Sequence, residues 1–136
     1  ISNHAIFIFQ FSIYNECLMN NASNKLEERT LNFSQSIITL CKKIPETAIT
    51  NPLIVQLVSS ATSVGANYAE ANNAASRNDF RNKIFISKKE ASETKSWLKI
   101  LESSIHDKPY YKSVLQENQE LILIFQSIIN TLNRSH

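Results

Sequence analysis

An all-α fold, an antiparallel up-down-up-down four-helix bundle with left-handed packing, is predicted by three features of this 136-residue chain. It holds one glycine and three prolines, too few turn formers for the many reversals of a sandwich or barrel. Apolar residues recur in steps of three and four through four long stretches, the signature of amphipathic helices. Only short links separate those stretches, which favours antiparallel neighbours. The length fits one domain with a single core.

The first helix is predicted to start at Asn24, as N-cap, with Glu27 three residues on as its capping-box partner. Leu26, Thr30, Phe33, Ile37, Leu40 and Ile44 then share one face; Lys42 and Lys43 suit the helix's negative end, and Pro45 stops it. Asn51-Pro52 reads as a second start, an N-cap followed by proline at the first helical position. Its stripe is Ile54, Leu57, Val58, Ala61, Val64, Gly65, Tyr68 and Ala71, running to about Ala75, with Glu70 as the only charge; so uncharged a helix should be buried on more than one side. Arg77-Asn78-Asp79 interrupts the chain and caps a third helix with core positions Phe80, Ile84, Ser87, Ala91, Thr94, Leu98 and Leu101. After His106-Asp107-Lys108-Pro109 the fourth helix carries Val114, Leu121, Ile122, Phe125, Ile128, Ile129 and Leu132, fraying near Asn133. The near-3.5-residue rhythm implies shallow, left-handed crossings.

Residues 1–23 form an N-terminal extension ahead of the bundle domain, 24–136. Its run from Ala5 to Tyr14 is apolar and uncharged, too short to span a bilayer, and no Lys or Arg precedes it as in a signal peptide. The only methionine is Met19, so translation is expected to start there, with residues 1–18 upstream of the natural protein. Cys17 and Cys41 have neither metal nor redox spacing and read as reduced thiols of a cytoplasmic protein, Cys41 in the core.

Gly65 stands in the interior of the second helix, where glycine costs about 1 kcal/mol relative to alanine. No turn signal surrounds it, so close approach by another part of the chain is the compensation expected. Ala61, Ala66, Asn67, Tyr68 and Ala69 belong to the same tightly packed segment. The polar residues there, Thr62, Ser63, Asn67, Tyr68 and Glu70, are expected to bond to a neighbouring helix, with Lys83, Lys88 or Thr94 as partners.

The third helix carries two further faces. Ile86, Trp97 and Ile100 lie away from the core stripe, nearly opposite it, and suggest an oligomer interface. Arg77, Arg81, Lys88, Lys95 and Lys99 fall within about a 40° arc and form a basic ridge able to track a phosphate backbone, although the formal charge is only +2. Read as an ordinary solvated face, the same helix would pair Lys89 with Glu93, and Lys95 or Lys99 with Glu102.

Enzyme chemistry finds no support. The three histidines, His4, His106 and His136, lie at the two ends and in a link, and Glu90 and Glu93 lack the histidine partners of a di-iron bundle. One glycine excludes a phosphate loop. No metal, cofactor, small-molecule substrate or membrane partner is expected.

Thr62-Ser63-Val64-Gly65-Ala66-Asn67-Tyr68-Ala69-Glu70-Ala71, followed by Asp79-Phe80, Lys83-Ile84, Lys89-Glu90-Ala91 and Glu93-Thr94…Trp97-Leu98, resembles the bacterial four-helix proteins encoded in intervening sequences of 23S ribosomal RNA genes. Leu26-Glu27-Glu28-Arg29-Thr30 and Asn51-Pro52-Leu53…Gln56-Leu57 share the likeness, which covers about residues 24–104. The resemblance implies a cytoplasmic homopentameric ring. Similar bundles serve as accessory proteins to the reverse transcriptases of diversity-generating retroelements, binding RNA and polymerase through a basic surface. This chain departs in its second helix, which has no basic residue; Ala69 stands where relatives often carry one. The function expected is therefore a non-enzymatic, self-assembling bundle that binds RNA through the third-helix ridge. The alternative is a protein adaptor, such as an accessory subunit for a reverse transcriptase.

Overall fold

The computed structural model describes residues 16–134, with side chains from Ser23 onward. The Ala5–Tyr14 run lies outside the described residues, as do His4, His136 and the side chains of Cys17 and Met19. Among the described residues there is helix and no strand: α1 (Glu16–Cys41), α2 (Thr50–Asn72), α3 (Arg77–Leu101), a 3₁₀ turn (Glu102–Ser104) and α4 (Lys108–Arg134).

Three helix starts differ from those expected. α1 is already helical at Glu16, so Asn24 lies inside it rather than capping it. Glu27 accordingly is no capping-box partner and accepts from Asn72 Nδ2 at 2.6 Å. α2 is capped by Thr47 and not by Asn51: Thr47 Oγ1 accepts from the N–H groups of Ile49 and Thr50 at 3.2 and 3.0 Å. The Thr50 hydroxyl answers by accepting from Thr47 N–H at 2.9 Å and donating to the Pro45 carbonyl at 2.7 Å. This reciprocal cap satisfies the orphan donors one turn before Pro52, which is then free to sit inside the first turns. α2 closes at Asn72, three residues before Ala75. The cap of α3 is Ser76, whose Oγ accepts from Asp79 N–H at 3.0 Å.

Each helix packs on two neighbours, in the cycle α1–α2–α3–α4–α1. The seven α3 core positions are buried without exception, and the α1 set from Thr30 to Ile44 is buried as well. Ile122 and Ile128 of α4 are half-buried, packed on the core's edge, while Tyr111 and Asn118 complete that stripe. The α1–α2 seam is set by Thr30 against Gly65 and by Ser34 Oγ donating to the Ala61 carbonyl at 3.4 Å. Along α2–α3, Ser87 Oγ donates to the Val64 carbonyl at 3.0 Å and Thr94 Oγ1 to Ser60 Oγ at 2.8 Å. α1 meets α4 through Arg29, which donates to Glu117 and Glu120, and the links just beyond their ends are joined by Lys43 paired with Asp107 at 2.7 Å.

Gly65 sits where close approach was expected. A Cβ built there would lie 3.1 Å from Thr30 Oγ1 and 3.2 Å from Thr30 Cβ, so the second helix is bare at this point to admit the first. Burial on more than one side holds only in part. α2 packs on both α1 and α3, yet Val55, Ser59, Thr62 and Ala66 face solvent.

Candidate nucleic-acid interface

The five basic residues are brought together along the flank of α3 that faces α4. Arg77 donates to the Leu132 carbonyl, and Arg81 Nε to Asn133 Oδ1 at 3.1 Å while its guanidinium stacks over Phe85 at 4.9 Å. Lys95 Nζ donates to Gln119 Oε1 at 2.9 Å. The two side-chain contacts share one register, in which Lys88 stands level with Gln126. Lys88 is half-buried and Lys99 exposed. The seam thus sets Arg81 against the Asn133 amide and Lys95 against the Gln119 amide, two contacts about 20 Å apart along the helix; Gln126, at the level of Lys88, is turned to its own helix, its Nε2 donating to Asn130 Oδ1 at 2.8 Å.

This arrangement decides what the ridge can do. A carboxylate partner would neutralise each cation, whereas an amide oxygen orients it and leaves its charge to act outward. Among the described residues, the ion pairs are Arg29 with Glu117 and Glu120, Lys43 with Asp107 and Lys83 with Glu70; none involves Arg81, Lys88, Lys95 or Lys99. The pairs expected on a solvated face, Lys89 with Glu93 and Lys95 or Lys99 with Glu102, are not formed. Lys95 turns instead to Gln119, and Glu102 Oε1 accepts from Tyr111 Oη at 3.1 Å. Contact of the ridge with α4 was invisible in α3's own sequence, because the amides lie some 24 to 52 residues away.

Of the three residues placed nearly opposite the core stripe, Trp97 departs, since it packs against the core. Ile86 and Trp97 are half-buried, Trp97 resting on the core, and Ile100 is exposed. Of the polar set near Gly65, Glu70 pairs with Lys83 at 3.0 Å. Asn67 Nδ2 donates within its own helix to the Ser63 carbonyl at 2.8 Å, and Thr62 Oγ1 to the Val58 carbonyl at 2.8 Å. Tyr68 Oη donates across to Ser23 Oγ at 3.4 Å, and its ring tilts against Phe125. The buried bonds between α2 and α3 run through Ser87 to the Val64 carbonyl and Thr94 to Ser60. Of these, sequence reasoning named only Thr94 as a partner, since small hydroxyls at core positions pass for spacers.

Few groups titrate unusually. Burial pushes the Cys41 thiol up to about 11, which makes it a poor nucleophile at neutral pH. Burial, and then the neighbouring Glu93 charge, raises Glu90. Burial also holds the Tyr68 phenol above its ordinary value. Asn118 is fully buried, and neither amide atom has a hydrogen-bond partner among the described residues. Among those residues no group of three or more His, Cys, Asp or Glu side chains is placed to hold a metal. No described helix is long and apolar enough to cross a membrane.

Together, these features define a four-helix protein whose distinctive surface is a cationic inter-helix seam. The family model of the 23S rRNA-intervening sequence protein matches residues 22–127, and the chain belongs to that family. A similar solved structure is the crystal structure of a protein with unknown function from the S23 ribosomal protein family of Bacteroides thetaiotaomicron. It is 34% identical, covers 79% of this chain and 97% of its own, and superposes with a TM-score of 0.68. No curated protein matches the chain.

Proposed function

We propose that this protein is a non-enzymatic, self-assembling bundle that binds RNA through the α3–α4 seam, with Arg77, Arg81, Lys88, Lys95 and Lys99 contacting phosphates. The observation that carries this reading is the opposition of seam cations by amides instead of carboxylates. Such a seam reads charge and not base sequence, so binding is weakly sequence-specific. Membership of a family named for 23S rRNA intervening sequences makes ribosomal RNA, or the transcript of the host element, the substrate to try first. A cytoplasmic setting goes with that substrate. The up-down-up-down, left-handed architecture belongs to the same reading: paired positions across every seam rise on one helix as they fall on the next.

Filter binding or fluorescence anisotropy with a 23S rRNA fragment tests the proposal. Affinity should fall steeply as salt rises, and Lys88→Glu with Lys95→Glu should weaken it at least tenfold while reducing the salt slope by about two. Affinity indifferent to both changes would remove the RNA reading and leave the adaptor class, docking a protein such as a reverse transcriptase, in its place.

A further inference from the structure

Phe85 is the one exposed aromatic side chain among the described residues, 40% open to solvent. A single apolar side chain at a surface is ordinary; what sets this one apart is its place and its cap. Four residues beyond Arg81, it stands about 40° farther around α3, on the solvent side of the basic ridge. The Arg81 guanidinium lies over the ring, 4.9 Å from its centroid, while Arg81 Nε donates to Asn133 Oδ1 at 3.1 Å. A long cationic side chain held at two points has given up much of its rotamer freedom. Neither contact neutralises it, because a ring face and an amide oxygen carry no net charge.

Across the seam, the register set by Arg81 with Asn133 and Lys95 with Gln119 puts Phe85 within about one residue of the level of Asn130. The bond from Gln126 Nε2 to Asn130 Oδ1 orients both amides there and directs the Gln126 carbonyl oxygen and the Asn130 amino group to other partners. A ring face, a fixed cation, an acceptor and a donor therefore come together beside Lys88. Phosphates need only the cations. A nucleobase uses the rest, its face by stacking and its edge by hydrogen bonds. In a duplex the stack closes each base face and the pairing partner closes its edge, so only an unpaired base can reach this ring.

We infer that Phe85, capped by Arg81, is a stacking platform for an unpaired base, and that the RNA held at this seam is single-stranded, a loop or bulge and not a continuous duplex. The inference rests on the reading of the seam as an RNA-binding surface. A strand whose phosphates follow Lys88 and Lys95 turns its base to the solvent side of the ridge, where the ring lies. Every base has a face to stack, so the platform selects strand form without adding sequence reading.

Fluorescence anisotropy on the full chain, with RNA probes of equal phosphate number, tests the platform. The probes are a strand without self-complementarity, a hairpin, and the same strand carrying abasic residues. The parent should bind the strand about tenfold more tightly than either of the others, the margin of one base–aromatic stack. Phe85→Ala should lose that margin with the salt slope unchanged, because no phosphate contact is removed. Removing ring and bases together should cost no more than removing either alone, as direct contact requires. Phe85→Trp should bind the strand at least as tightly as the parent, and melting followed by circular dichroism checks that each variant is folded. A parent that prefers the hairpin overturns the platform and leaves the phosphate-binding seam standing. So does a Phe85→Ala protein whose affinity is unchanged, or falls equally for all probes because the ring only positions Arg81. A parent that binds no probe, or binds each without salt dependence, overturns seam and platform together.

Discussion

Gly65 gives up about 1 kcal/mol of helix propensity, and the structure shows what occupies the space its missing Cβ leaves. Thr30 is buried, its hydroxyl bonded to the Glu27 carbonyl at 2.8 Å, so it cannot swing away. An added Cβ at 3.1–3.2 Å from its side chain would force the two helices apart by a few tenths of an ångström. For Gly65→Ala the propensity gain and the overpacking cost of about 1–3 kcal/mol oppose each other. The second should win by about 1 kcal/mol, lowering the melting temperature by about 4 °C. Gly65→Leu has no such compromise and should cost about 3 kcal/mol or more. A Gly65→Ala protein that melts higher than the parent would show that α1 yields at this point. That something approaches Gly65 was legible in the sequence, since a lone glycine in a periodic helix needs a reason. That it is Thr30 was not, because which residue of α1 stands opposite is decided by packing between positions 35 residues apart.

Helix ends carry the pH dependence. Asp107 caps α4, its Oδ1 accepting from Tyr110 N–H at 3.1 Å, and its other oxygen holds Lys43 at the end of α1. The Lys43 contact, followed by the Tyr110 amide, keeps its carboxyl below the ordinary 3.8. Glu120 is likewise lowered, by Gln116 first and Arg29 second. Both acids bind protons less readily folded than unfolded. Their stabilisation is therefore present above the ordinary carboxylate range and is lost as pH falls through their lowered values. Glu90 runs the other way: raised by burial, it favours the fold below its unfolded value and ceases to do so as pH rises through its folded one. Urea midpoints followed from neutral pH down to strong acid should decline, and Asp107→Asn should flatten part of that decline while keeping the cap. An unchanged acid slope in Asp107→Asn would mean that the Lys43 contact contributes nothing. The sequence marked this link as a helix boundary but read Asn51-Pro52 as a cap as well, and the reason for that error is physical. Thr47 and Thr50 form a reciprocal pair, with a donor and an acceptor each, and satisfy four groups at once. Asn51 alone could have satisfied one.

At the scale of the whole bundle, the fold was readable and the site only half so. Every α3 core position obeyed its period because burial on one stripe is a property of a single helix. The ridge on α3 was visible for the same reason, yet its meaning depended on α4, and a single helix does not say what stands across a seam. Had Gln119 been glutamate, Lys95 would be an ordinary ion-paired lysine. That contrast gives the sharpest test of the seam. Gln119→Glu with Gln126→Glu keeps every cation, places a carboxylate in register with Lys95 and Lys88, and should leave the fold as stable as before or gain up to about 1 kcal/mol from exposed pairs. RNA affinity should nevertheless fall as far as in the Lys88→Glu, Lys95→Glu protein, because both pairs of changes remove the outward field, one by reversal and the other by neutralisation plus added negative charge. Thermal melting alongside anisotropy separates the two effects. A doubly substituted protein that melts normally and still binds RNA at full strength would show that the cations act one by one through direct contact, and that the amides opposite them have no part in binding.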